Sequence, residues 1–62
     1  MVKEYRMYVT NITQALNVLR EAGVEAVGDG TSLKLRIPEE KKTSVILLLN
    51  KEKVVVYDIE DI

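Results

Sequence analysis

Nucleophilic catalysis on the usual plan needs a hydroxyl or thiol beside a base, and this sequence contains no His and no Cys. The remaining nucleophiles are Thr10, Thr13, Thr31, Ser32, Thr43 and Ser44, with Lys or carboxylate side chains as the only bases, and their spacing forms no catalytic signature. Gly28-Asp29-Gly30 supplies two glycines but lacks the GxxxxGK[ST] frame of a phosphate-binding loop. Glu39-Glu40 and the group Asp58, Glu60, Asp61 could face a hard cation, yet the loop of alternating oxygen ligands that Ca²⁺ takes is missing. The expectation is a chain with no catalytic residue, no metal site and no cofactor of its own.

Tyr8, Arg6, Lys34 and Arg36 form the one grouping suited to a polymer ligand, because bases of single-stranded RNA stack on aromatics of an exposed sheet face. Nine basic residues against ten acidic ones leave a formal charge of −1, far from the excess that phosphate binding uses, so no nucleic-acid partner is expected.

These residues must be positioned by elements that fit in 62 residues, room for one domain with one core. Tyr5, Met7 and Val9 alternate with Glu4, Arg6 and Tyr8, the period-two pattern of a half-buried strand from Glu4 to Val9. Asn11, with Gln14 three residues on, caps a helix whose apolar positions are Ile12, Ala15, Leu16, Leu19 and Ala22, and Gly23 ends it. A second strand over Val24 to Val27 and a third carrying Leu33, Leu35 and Ile37 flank Asp29-Gly30, which reads as the central pair of a type I′ hairpin turn. Pro38 and Glu39-Glu40 open a second helix to Asn50, and Lys53 to Ile59, rich in Val, makes a fourth strand that the alternating tail to Ile62 could prolong.

The order β-α-β-β-α-β predicts an α+β, ferredoxin-like split βαβ fold: a four-stranded antiparallel sheet in the order 4-1-3-2 with both helices on one face. The run Val45-Ile46-Leu47-Leu48-Leu49 is apolar on all sides of its helix, so part of it must face outward. Ile46 and Leu47, with Val54 and Val56 of the last strand, are the expected partner contacts. No apolar run reaches the roughly 18 residues of a membrane span, and no membrane insertion is expected.

The sequence of features resembles the C-terminal accessory domain that follows the nucleotide-binding domain in ATP-binding subunits of bacterial ABC transporters of the bacitracin and drug-export type. The segments that carry the resemblance are KEYRMYV, ALNVLREAGVEAV, GDG, LKLRIPEE, SVILLLN and KVVVYDIED, nearly the whole chain. Where that family has a Gly after the second helix, this chain has Lys51-Glu52-Lys53. The resemblance implies a non-catalytic regulatory or interaction domain, a piece of a longer protein, in the cytoplasm at the inner face of the membrane. Its partner would be the ATPase domain of its own parent chain or a transporter subunit, with a homodimer as a further arrangement. Walker A, signature and Walker B motifs are absent from these residues, so neither ATP binding nor hydrolysis is expected of them. Two other readings belong to the same fold class: an ACT-like small-ligand sensor that pairs side by side and uses Thr10 and Asn11, and an RNA-binding module.

Overall fold

The computed structural model describes residues 1–62. Its elements are β1 (Val2–Val9), α1 (Ile12–Glu21), β2 (Ala26–Asp29), β3 (Ser32–Pro38), a 3₁₀ turn over Glu39–Lys41, α2 (Lys42–Lys51) and β4 (Val56–Asp61). The strands form one sheet in the order β2-β3-β1-β4, and every pairing is antiparallel. This is the expected ferredoxin-like arrangement. Tyr5, Met7 and Val9 of β1 and Leu33, Leu35 and Ile37 of β3 are buried on the face that meets Ala15, Val18 and Leu19 of α1 and Val45 and Leu49 of α2. The opposite face carries Glu4, Arg6, Tyr8, Lys34 and Arg36, none of them buried. No helix is long and apolar enough to cross a membrane.

Asn11 caps α1 as its sequence position requires, with its side-chain oxygen accepting the Gln14 N–H at 3.0 Å. Both helices then end in the same closure, in which the chain turns left-handed and orphan carbonyls are satisfied. In α1, Gly23 takes φ +77°, its N–H bonds the Arg20 carbonyl, and the Val24 N–H bonds the Leu19 carbonyl at 2.8 Å. In α2, Lys53 takes φ +67°, its N–H bonds the Asn50 carbonyl, and the Val54 N–H bonds the Leu49 carbonyl at 2.9 Å. Every position of the second closure lies thirty residues after its counterpart, as do the helix bounds themselves.

Several boundaries differ from the sequence reading: β1 begins at Val2 instead of Glu4, and β2 covers Ala26–Asp29 instead of Val24 to Val27, because Val24 is taken by the closure of α1. The hairpin turn is Gly30-Thr31, not Asp29-Gly30: Asp29 pairs with Ser32, and only Gly30 has positive φ, at +67°. A β-branched Thr resists the left-handed region, so the turn takes the form that needs positive φ at its first central residue alone. The first turn of the second helix is 3₁₀, and β4 starts at Val56 instead of Lys53. The second helix closure has already used the Val54 N–H, which therefore cannot enter the sheet ladder.

Lys53 is the only non-glycine residue with positive φ, a conformation that costs an ordinary side chain roughly 1 kcal/mol or more. Lys53→Gly is expected to raise the unfolding free energy by about 1 kcal/mol. Gly23→Lys, the same exchange in the first closure, is expected to lower it by about as much. Urea unfolding of the two variants checks both signs, and a Lys53→Gly variant no more stable than the native chain would contradict the closure geometry.

Candidate functional site

The candidate site residues sort by the element that holds them. Leu47 projects from the middle of α2 and is 61% exposed. Ile46 and Val56 are half-buried against the core. Val54, expected at the surface, is fully buried: the closure that takes its N–H swings its side chain inward. It belongs to the core, which leaves Leu47, Ile46 and Val56 as the partner-contact candidates with accessible surface.

The two helices provide an internal control on Leu47. Thirty residues separate Ala15 from Val45 and Leu19 from Leu49, all buried, and Leu16 from Ile46, both half-buried. At the outward position between them α1 carries Asn17 and α2 carries Leu47. At 61% exposure the Leu47 side chain adds little to the core.

On the open sheet face Arg6 sits at the centre of a polar network. Its guanidinium lies 3.4 Å from the Asp29 carboxylate at the end of β2 and 3.6 Å from Glu60 on β4. The Tyr8 hydroxyl donates to Glu60 at 2.8 Å. A bulge in β4 makes Tyr57 an extra residue between Val56, opposite Val9, and Asp58, opposite Tyr8. Such a bulge re-aims a side chain, and the Tyr57 ring stands 6.3 Å from that of Tyr8 at a 39° tilt. Sequence periodicity could not locate Tyr57 here, because a bulge breaks the alternation on which that reading depends. Glu60 was legible, since Asp58 and Glu60 keep the period of two.

The RNA reading meets this network directly. Its central cation, Arg6, is held by two carboxylates, and the Tyr8 hydroxyl donates to one of them, Glu60. Glu4, Asp29, Asp58 and Glu60 interleave with Arg6, Lys34 and Arg36, so the face offers a phosphate backbone no basic track. The ACT-like reading fares similarly, since the Thr10 hydroxyl accepts the Val55 N–H at 3.1 Å and Asn11 is occupied as the cap of α1.

The hydroxyls considered for catalysis are dispersed. Ser32 is buried and donates to the Asp29 carbonyl at 3.0 Å, Thr10 bridges to Val55, and Thr43 and Ser44 lie on the outer surface of α2. None is hydrogen-bonded to a Lys or a carboxylate. Glu39 and Glu40 pair with Lys3 at 3.5 Å and with the N-terminal ammonium at 3.8 Å. No three acidic residues converge as metal ligands would. The largest hollow, about 440 Å³, opens at the end of the sheet between Val2, Glu4, Arg36 and Ile62. No family model, curated protein or solved structure matches this chain.

Tyr8 is the one group with a displaced titration: the hydrogen bond to Glu60 raises its pKa above the ordinary 10.0, with desolvation and the Glu60 charge adding in the same direction. Since the folded value lies above the unfolded one, the tie is fully present below the unfolded pKa and is lost as pH rises through the folded one. In Glu60→Gln the Tyr8 phenol is expected to ionise at lower pH than in the native chain. An NMR titration of the Tyr8 ring reads this shift, and an unchanged midpoint would show that Glu60 does not set it.

Proposed function

We propose that this chain is a non-catalytic interaction module that docks, through the outward face of α2, on the ATP-hydrolysing domain of a bacterial transporter of the bacitracin or drug-export type. The observation that carries the reading is Leu47: a large apolar side chain, 61% exposed, at a position where the matching helix has Asn17. Exposed apolar surface that the fold does not need is what a docking contact requires. Ile46, beside it in sequence, and Val56 of β4 are half-buried apolar side chains with some surface left accessible. The resemblance in feature order supports the choice of partner, and the module regulates or anchors the ATPase without touching nucleotide.

Leu47→Lys is expected to leave stability within about 0.5 kcal/mol of the native chain, as surface substitutions do. It should weaken binding to the transporter's ATP-binding subunit about tenfold or more, the scale of losing a buried Leu from an interface. Ile46→Lys is expected to destabilise the domain as well, because part of that side chain is core. Calorimetric titration of the ATP-binding subunit with each folded variant tests the proposal. Undiminished binding by Leu47→Lys, or no binding by the native chain, would overturn it.

A further inference from the structure

The two edges of the sheet are built differently. On β4 the Ile62 N–H bonds the Glu4 carbonyl of β1, so antiparallel alternation turns the backbone groups of Ile59 and Asp61 outward. That edge is shut. The Ile59 N–H is taken by the Asp58 carboxylate at 2.9 Å, the Tyr57 bulge interrupts the strand, and Asp58, Glu60 and Asp61 charge it. Bulges and charges are the devices by which proteins block edge pairing.

On β2 no bulge interrupts the strand, and its only charges, Glu25 and Asp29, flank the stretch Ala26–Gly28. Asp29 pairs with Ser32 and Val27 with Lys34, and the Arg36 N–H bonds the Glu25 carbonyl, so the N–H and C=O groups of Ala26 and Gly28 point away from the sheet. No side chain caps them. Beside them Val27 is 58% exposed.

We infer that β2 is the contact through which two copies of this chain pair, antiparallel, into one continuous sheet. The free groups are self-complementary about a two-fold axis at Val27. Ala26 exchanges both backbone bonds with Gly28 of the partner subunit, and Val27 faces Val27 of the partner subunit as a close non-hydrogen-bonded pair. A second copy is the occupant because this contact is isologous and closes on itself, whereas the alternative of β2 on another copy's β4 would grow an open filament and is barred at the β4 edge. The contact is short, and it sets Glu25 beside Asp29 of the partner subunit, a like-charge pair. Both features place the dimer among weak, reversible associations. It uses the edge beneath α1, away from Leu47, and does not depend on docking to an ATPase.

The chain has no cysteine, so one can be introduced at will. Val27→Cys and Tyr57→Cys place a thiol at 58% and 62% exposed positions on the two edges. Under mild oxidant, Val27→Cys is expected to form disulfide dimers about tenfold faster, since the paired strands hold the two thiols at bonding distance. Ala26→Pro removes an outward N–H that the native sheet does not use, and in the Val27→Cys background it should return the rate to that of Tyr57→Cys. In the native chain the Ala26 and Gly28 amide resonances should move with protein concentration. Equal cross-linking rates at the two positions, or amide shifts independent of concentration, would overturn the proposal.

Discussion

A helix of ten residues leaves its last carbonyls without partners, and in a domain this small those carbonyls lie too near the core to be left to water alone. The left-handed closures at Gly23 and Lys53 answer this for both helices, and most of the architecture depends on them. Each closure bonds a carbonyl of a fully buried leucine, Leu19 or Leu49, to the N–H of a valine that follows the turn. Each also reverses the chain so that it leaves toward an edge strand. The core is filled from the two ends of this device, since Leu19, Leu49 and Val54 are among its most buried members and Val24 packs against it. The second closure is made with a lysine in a glycine's conformation, which shows that the geometry is imposed by the carbonyl bonds and the buried valine and not by the propensity of the turning residue.

The fold was legible because its main signals are periodic. The alternation in β1 and β3, the Asn11 cap and Gly23 each tie a residue type to one backbone requirement, and the structure places them accordingly. What was not legible involves competition between two local requirements. Val54 has the composition of a strand residue, and the Val54–Val56 run looks continuous, but the helix closure claims the first N–H and β4 begins later. Asp29-Gly30 is a strong turn pair, yet Asp29 pairs with Ser32 in the ladder, and the turn moves on by one to Gly30-Thr31, with positive φ at Gly30 alone. The place of Tyr57 is set by a bulge, which no alternation in the sequence marks. For the candidate contacts, the over-apolar helix announced that something must lie outside; only packing could say that it is Leu47 with Ile46 half-covered.

The open face shows how charge can be plentiful without amounting to a binding surface. Arg6 is shared between Asp29 and Glu60, which come from opposite edges of the sheet, so the network spans all four strands. Each exposed ion pair contributes little by itself. Their arrangement nevertheless fixes which side chains lie beside one another across β1, and it couples the Tyr8 hydroxyl to the last strand.

The strand order has a kinetic meaning. β1 and β2 come from the first half of the chain and are not neighbours, because β3 lies between them; β3 and β4 come from the second half, and β1 lies between those. Neither half owns a complete piece of sheet. During synthesis the amino-terminal half must therefore wait with its strands unpaired until β3 arrives, and β1 keeps one side open until Val56–Asp61 has been made. The β2–β3 hairpin is the only pairing between neighbours in sequence, and the remainder depends on distant contacts that close slowly. The domain is in effect two interlocked clasps, neither of which can fasten until the other is present.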